Sequence, residues 1–286
     1  MNPRRRFLVA ELNISTETRE KVLSFHPLVK GHFNVWAFSA VDERLFACLA
    51  QVKGVIFPQV FPEVLYRLAL ARGLKTFPEY RVRFDFPGKH GQVLLFRLLD
   101  LPHPKTIFVP KLAAFGAHPG ALPLALPEFP FVVKTLDEHE GQGVFLVTGK
   151  ETWETASAYL KAREREGRFG FLIQEYLPGR YDARVVLIGR ERLVFWREKK
   201  GFKGNLAQEG RLVPCPDKVL EERALALAEA LAQKTGLNLA AVDFLVSDKG
   251  LFLNEINYVF GRRSLGGSFE ALFFKAVKEF LAVISP

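Results

Sequence analysis

Three oxygen-bearing side chains late in the chain have the types and spacing of a magnesium site. Glu255 and Asn257 stand two positions apart in LFLNEINYV, so on a strand they lie on the same face. Asp243, in AAVDFLV, belongs to the preceding strand of a hairpin that turns at Ser247-Asp248-Lys249-Gly250. If the register brings Asp243 beside them, two carboxylates and an amide suit Mg²⁺ shared with phosphates, with Mn²⁺ as an alternative. A strand with one solvated face is the competing interpretation.

A lysine ahead of a glycine turn is the second feature. Lys134 ends the apolar run FVVK, and EHEGQG follows, ending in Gly141-Gln142-Gly143. The ammonium group and the N–H groups of the turn can contact phosphates, although many ordinary hairpins contain such a turn. No GK[ST] follows and the next element is a strand, which excludes a Walker motif and a dinucleotide fingerprint. The two glutamates of the turn would repel phosphate unless they point away.

Two further sets of residues are candidates for binding a nucleotide. Glu175, Tyr176 and Leu177 end a strand-like run, where backbone groups could meet an adenine ring and the carboxylate a ribose hydroxyl. Arg197 and Lys199 share one strand face by their separation of two. Guanidinium groups match phosphate oxygens, but no spacing ties Arg184 or Asn205 to that pair. An ordinary strand end and an exposed basic strand are the alternatives.

The elements that must position these residues fall into two parts. In the first, the sequence predicts strands at Arg6–Ala10 and Gly54–Val60 and a helix over Glu63–Arg72 that stops at Gly73, which is a small α/β lobe. A Pro/Gly-marked join at Phe86-Pro87-Gly88-Lys89 separates residues 1–88 from residues 89–286.

The second part is predicted to be antiparallel α+β. A short buried helix in GQVLLFRLLDL and an extended segment at Thr106–Val109 come first. The predicted strands are Phe131–Lys134, Val144–Val147, Phe171–Tyr176, Ala183–Ile188, Arg192–Lys199, Ala241–Val246 and Leu251–Tyr258. Three helices are predicted from their caps: one to about Glu166 with Thr148 and Glu151 in capping-box spacing, one from Asp217 to Gly236, and one capped by Ser268.

Composition bounds the class of protein. The chain has 286 residues, enough for two or three lobes, and 49% apolar residues, which is ordinary for a globular protein. The net charge of +9 suits an anionic ligand or nucleic acid, or is a solvated face. Cys48 and Cys215 form no CxxC pair, and no apolar run approaches the roughly 18 residues of a membrane span, so we expect a cytoplasmic protein with reduced thiols.

Together these motifs resemble the ATP-grasp superfamily, in particular its RimK-type glutamate ligases, from about Lys89 to Gly267. The segments that carry the resemblance, in chain order, are FVVK before the glycine turn, QEYLPG with DAR following, REKK…GN, and VDFLV…LNEIN. The resemblance implies a nucleotide gripped between two α+β lobes behind a small α/β domain. It implies Lys89 and Lys134 near the nucleotide, Glu175 near the ribose, Arg197 and Asn205 near the reacting phosphates, and magnesium at Asp243, Glu255 and Asn257.

The implied reaction is phosphoryl transfer from ATP to a carboxylate, followed by attack of an amine, or alternatively a thiol, on the acyl phosphate. The substrates would be small-molecule or peptide carboxylates and amines. After Asn257 the sequence YVFGRRSLGG differs from the short small-residue and proline turn of many relatives, and Arg262 and Arg263 could bind the acid there or form a solvated loop. A kinase that phosphorylates a hydroxyl and an ATP-dependent binding protein are the competing functions. The absence of an aromatic-basic RNA signature argues against nucleic acid.

Overall fold

The computed structural model describes residues 11–15, 19–35, 41–115, 127–138, 142–199, 211–261 and 265–285. The strand predicted at Arg6–Ala10 lies outside these residues. Four predicted site residues also lie outside them: Gly141, Asn205, Arg262 and Arg263.

The first lobe contains strands and helices, as its sequence predicts, and its main sheet is parallel. Its strands are β1 (Leu12–Asn13), β2 (Val22–Ser24), β3 (Val29–Lys30), β4 (Phe33–Asn34), β5 (Gly54–Ile56) and β6 (Lys75–Phe77), and its helices are α1 (Glu43–Leu49), α2 (Glu63–Ala71) and α3 (Arg81–Asp85). The order β4-β2-β5-β6 is parallel throughout, while β1 pairs with β3. Gly73, at the predicted stop of α2, has a φ of 70°, which a glycine adopts without strain.

Helix α4 (Gly88–Leu98) leads from this lobe into a four-stranded antiparallel sheet. The sheet contains β7 (Thr106–Val109), β8 (Phe131–Thr135), β9 (Val144–Val147) and β10 (Phe171–Glu175) in the order β7-β10-β8-β9. A short 3₁₀ helix (Leu112–Phe115) follows β7, and helix α5 (Lys150–Arg165) covers one face. Apolar residues of α5, including Leu160, pack there against Val133 and Phe171 in a core of their own.

A five-stranded antiparallel sheet follows, in the order β13-β12-β11-β14-β15. Its strands are β11 (Tyr181–Ile188), β12 (Glu191–Glu198), β13 (Arg211–Val213), β14 (Leu239–Ser247) and β15 (Gly250–Asn257), with helices α6 (Lys218–Thr235) and α7 (Ser268–Ile284). One continuous core joins this sheet and its helices to the first lobe. The division at residue 88 therefore stays a prediction, although α4 does begin there. None of the described helices is long and apolar enough to cross a bilayer.

The predicted helix caps are partly right. Asp217 accepts the N–H of Val219 at 2.8 Å and Gly236 ends α6 with a φ of 75°, as predicted. The capping box at Thr148 and Glu151 is wrong, because the Thr152 hydroxyl accepts the N–H groups of Thr148 and Gly149 at 2.9 and 3.1 Å instead. Ser268 is the first residue of α7 rather than its cap, and its hydroxyl donates to the carbonyl of Leu265.

Candidate active site

Helix α4 is fixed to strand β15 by the side chain of Gln92. Its amide donates to the carbonyl of Ile256 at 2.9 Å and accepts the N–H of the same residue at 2.8 Å. Because β15 is the edge strand of the five-stranded sheet, this amide takes the place of a neighbouring strand. Lys89 lies three residues before Gln92 and therefore on the same side of the helix. The helix thus delivers the Lys89 ammonium group to the region of Glu255.

Two lysines from different elements line one cavity. It lies where α4, the four-stranded sheet and β15 meet, and its lining residues are Lys89, Val93, Lys134, Leu172, Gln174, Asn254 and Glu255. Lys134 donates to Asn254 Oδ1 at 2.9 Å. Lys89 donates to the carbonyls of Thr135 and Glu138 at 3.1 and 2.6 Å. The two lysines that the resemblance placed near a nucleotide are therefore neighbours in space.

Both lysines are held in an environment that disfavours their charge. Burial lowers the pKa of Lys134 to about 8, against the attraction of the Glu255 carboxylate. Burial also lowers the pKa of Lys89, again opposed by Glu255. An anion entering the cavity would restore the lost stabilisation of both ammonium groups.

A β-bulge explains why Asn254 and Glu255 line the same cavity. Asp243 pairs with Glu255, but the next residue, Phe244, pairs with Leu253, so Asn254 is the extra residue of β15. At a bulge the alternation of side chains between the two faces is interrupted. Asn254 is a site residue that the strict two-residue spacing missed, and its only signal in the sequence is a polar side chain within LFLNEIN.

An ion-pair network crosses three strands of the five-stranded sheet. Arg184 on β11 lies opposite Asp243 on β14 and binds both carboxylate oxygens, at 2.6 and 2.7 Å. Arg197 on β12 lies opposite Asp182 and binds its Oδ1 at 2.6 Å, with a second contact to Asp243 Oδ1 at 3.4 Å. The structure therefore joins Arg184 to the Arg197 set, a connection that no spacing in the sequence indicated.

Asp182 is the second residue that the sequence analysis missed. It is 2% exposed, and its Oδ2 has no hydrogen-bond partner among the described residues. Burial raises the pKa of this carboxyl group, although the Arg197 charge opposes the shift. Only its position two residues before Arg184 in the DAR triplet could have suggested it.

The three oxygen donors predicted for magnesium come together. Asp243 is directly opposite Glu255, and Asn257 Nδ2 donates to Asp243 Oδ2 at 3.0 Å. With Arg184, Arg197 and Asn257 as donors, the roughly four acceptor positions of the Asp243 carboxylate are all in use. A turn of the Asn257 amide would replace its nitrogen by its oxygen and open one of them.

In type and place the donors fit an oxygen-ligated divalent cation. Within the described ranges no three His, Cys, Asp or Glu residues are grouped as metal ligands, so the amide of Asn257 is needed to complete the set.

The predicted ribose ligand has a partner of its own. Glu175 ends β10, where its carboxylate pairs with the ammonium group of Lys249 in the β14–β15 turn. The same carboxylate accepts the N–H of Lys105 at 3.4 Å. The hydrogen bond from Lys249 holds the pKa of Glu175 below its usual value. Tyr176 is half-buried and Leu177 is buried, so the backbone of this segment sits against the protein on one side.

The described part of the glycine turn is tightly built. Gly143 has a φ of 66°, and a Cβ there would lie 1.9 Å from Glu138 Oε2 and 2.0 Å from Thr135 Oγ1. Only glycine fits this position. Gln142 is exposed. Glu138 does point away, since its carboxylate is bound by Thr135, Tyr159 and Arg163.

Comparisons with known proteins agree with this geometry. A family model described as a RimK-like ATP-grasp domain matches residues 123–266. A protein of Marinomonas sp. named as a probable alpha-L-glutamate ligase is 31% identical over 219 residues, which cover 71% of this chain and 67% of that protein. One of Trichodesmium erythraeum with the same name is 32% identical over 139 residues, or 45% of this chain and 42% of that protein. The match to a third relative, from Haemophilus ducreyi, covers 49% of that protein. This chain therefore spans about half the length of several of these relatives.

Solved structures share the fold. A RimK domain ATP-grasp protein from Sphaerobacter thermophilus has a TM-score of 0.59 and 19% identity, with 90% of this chain and 98% of that chain covered. D-alanine–D-alanine ligase from Bacillus anthracis, complexed with ATP, has a TM-score of 0.58 and 14% identity, with 88% and 84% covered. At these identities the likeness establishes the fold alone.

Proposed function

Because the chain belongs to the RimK-like ATP-grasp family, we propose that it is an ADP-forming ligase that joins a carboxylate to an amine. The observation that carries the proposal is the cavity in which Lys89 and Lys134 meet Glu255 across the junction of two sheets. The cationic side supports binding of phosphate oxygens. The carboxylate side, continued by Asp243 and Asn257, supports binding of a divalent cation.

The two lysines have the role of phosphate ligands in this proposal. Each is poorly solvated, and each is fixed by a neutral hydrogen-bond acceptor rather than by a close carboxylate. Their charge is therefore available to an incoming anion. Bound Mg-ATP would supply the phosphoryl group that activates the substrate carboxylate, and the cation would neutralise part of its charge.

The arginines have the role of stabilising the phosphoryl group in transfer. Arg197 is held by Asp182, so its guanidinium is fixed before a ligand arrives, whereas Arg184 is bound to Asp243 and would turn to the phosphates when they enter. Glu175 would accept a hydrogen bond from a ribose hydroxyl in place of its present partner, Lys249. Asn205, Gly141 and Gln142 remain proposed ligands on the strength of the sequence motifs.

The chemistry needs no nucleophile from the protein. A carboxylate oxygen of the substrate attacks the γ-phosphorus and ADP leaves. The nitrogen of the amine then attacks the acyl carbon, phosphate leaves, and the amine loses a proton.

The relatives are named as probable alpha-L-glutamate ligases, so L-glutamate is the first amine to test as a substrate. Both described cysteines are free, which agrees with a reducing, cytoplasmic setting.

Trapping with hydroxylamine tests the proposal. With ATP, Mg²⁺ and a panel of carboxylic acids, the correct acid should give a hydroxamate together with equal amounts of ADP and free phosphate. Omission of the acid should abolish all three products. A phosphorylated hydroxyl product without hydroxamate or free phosphate would refute the ligase and identify a kinase. Tight ATP binding with no turnover in cell extract would favour a binding protein.

A further inference from the structure

The carboxylate of Glu138 is bound by two side chains of helix α5. Oε1 accepts the Tyr159 hydroxyl at 2.6 Å and Arg163 Nη1 at 2.8 Å. Oε2 accepts the Thr135 hydroxyl at 2.6 Å. Although burial opposes them, these bonds and the Arg163 charge keep the pKa of Glu138 below its usual value, so the carboxylate stays ionised.

Arg163 neutralises this charge and that of the neighbouring Asp137. Arg163 is 7% exposed. Its Nη2 atom binds the carboxylate of Asp137, whose side chain is half-exposed. A buried guanidinium between two acidic residues is costly to maintain unless both partners stay in place. The sequence puts Asp137 and Glu138 directly after the strand that carries Lys134, which is a poor place for negative charge in a phosphate site.

The backbone carbonyl of Glu138, rather than its carboxylate, binds Lys89. Its carbonyl oxygen accepts Lys89 Nζ at 2.6 Å, and the carbonyl of Thr135 accepts the same group at 3.1 Å. Lys89 also feels the charge of the Glu138 carboxylate, which acts to raise the pKa of the lysine. Side chain and backbone of one residue therefore face Arg163 and Lys89 respectively.

We propose that Arg163, with Tyr159, is a positioning residue that keeps the Glu138 carboxylate from pairing with Lys89. The inference rests on the proposed function, because Lys89 matters only if it serves a nucleotide's phosphates. While Arg163 holds the carboxylate, the hydrogen-bond partners of Lys89 among the described residues are two neutral carbonyls, and the lysine remains available to an anion. Without Arg163, Lys89 is the other cation of the described residues whose charge acts on Glu138, and that ion pair would compete with the phosphates.

The test compares Arg163→Met with the double variant that also carries Glu138→Gln. Dissociation constants for Mg-ATP and for adenosine are measured by calorimetry on the full chain. Arg163→Met should weaken Mg-ATP binding by about tenfold or more, the worth of one charge-assisted contact, and leave adenosine within about twofold. The double variant should regain most of the Mg-ATP affinity, because the Glu138 carboxylate is gone and the Asp137 carboxylate that remains acts less strongly on Lys89.

Arg165→Met is the matched control. Arg165 lies on the same helix and is exposed, so its loss changes the net charge equally without touching Glu138. It should bind Mg-ATP within about twofold of wild type. Arg163→Lys, which keeps a cation beside Glu138, should stay within about threefold of wild type even if Arg163→Met does not fold.

The outcomes separate the inference from the proposed function. A wild-type protein that does not bind Mg-ATP would overturn both. A wild-type protein that binds, with a double variant as weak as Arg163→Met, would overturn the inference alone, because the carboxylate would not be the cause. The same holds if Arg163→Lys loses as much affinity as Arg163→Met, or if adenosine and Mg-ATP are weakened equally.

Discussion

Raising the pH from 7 to 9 should weaken Mg-ATP binding through the loss of one proton from Lys134. Burial lowers the pKa of this lysine to about 8, so in the free protein its charge disappears within this range. The lysine lines the cavity assigned to the phosphates and has Asn254, a neutral amide, as its hydrogen-bond partner. If phosphate binding requires the charged form, the protein must take up a proton to bind at the higher pH.

The magnitude follows from the titration. With a pKa of about 8, the lysine is about nine-tenths protonated at pH 7 and about one-tenth at pH 9. A ligand that binds only the protonated form should therefore bind about tenfold more weakly at pH 9, which is about 1.4 kcal/mol. Bound Mg²⁺ keeps the terminal phosphate of Mg-ATP ionised from pH 7 upward, so the ligand adds little to this change.

Calorimetric titrations at constant ionic strength, in half-unit steps from pH 7 to 9, measure the effect. Lys134→Arg is the control, because a guanidinium stays charged throughout. It should show a flatter profile, and any remaining slope would report Lys89, whose pKa burial also lowers. A flat wild-type profile, or an equal slope in Lys134→Arg, would refute the assignment of Lys134 to the phosphates.

Three further predictions use matched pairs of variants. Glu255→Gln should remove ATP turnover in a phosphate-release assay while the melting temperature is kept; Asp248→Asn, the same change on the exposed turn of that hairpin, should not. The pKa of Lys134 in the folded protein, about 8, is below the roughly 10.4 of unfolded lysine, so the free energy of unfolding of the wild type rises with pH between these two values. Lys134→Met removes the buried charge and should raise the free energy of unfolding, measured in urea titrations, by roughly 1–3 kcal/mol at pH 7. This gain should shrink by about pH 10.5, where the wild-type lysine is neutral in the folded protein. Gly143→Ala should lower the free energy of unfolding, measured by thermal denaturation, by roughly 1–3 kcal/mol, because the φ of Gly143 is positive and two side-chain oxygens occupy the place of a Cβ. The control Gly149→Ala should cost less, because a Cβ there would meet open space.

The sequence predicts features that depend on local spacing. The two-residue separation of Glu255 and Asn257 and the hairpin turn predict that Asp243 lies beside them if the register allows, and the register does place Asp243 opposite Glu255. Helix α6 likewise follows from its cap and its glycine stop, because each end is decided within a few residues.

Features that depend on strand neighbours were out of reach. The pairs Arg184–Asp243 and Asp182–Arg197 join residues on different strands, and strand order is set by packing of whole sheets rather than by any local pattern. Asn254 was missed because one extra residue in β15 interrupts the alternation.

The direction of a long side chain is a further limit. From the sequence, Glu138 is expected to repel a phosphate bound nearby. Only the fold shows that its carboxylate is bound by Tyr159 and Arg163 of α5, which lie 21 and 25 residues further along the chain. The sequence contained all three residues without any spacing that relates them. The pairing depends on how α5 packs against the four-stranded sheet, and no local sequence pattern predicts that packing.

The charge balance of the site bears on how a cation would enter it. Among the described residues, at least four cationic and three carboxylate side chains meet there: Lys89, Lys134, Arg184, Arg197, Asp182, Asp243 and Glu255. Lys199 adds a further positive charge near Asp182. A bare divalent cation would meet this cationic surplus and an Asp243 carboxylate whose acceptor positions are already filled. Phosphate oxygens arriving with the cation would instead engage the lysines and compete with Asp243 for Arg184. The same contacts that would bind the nucleotide therefore free the carboxylate for the metal, and the balance favours entry of cation and nucleotide together.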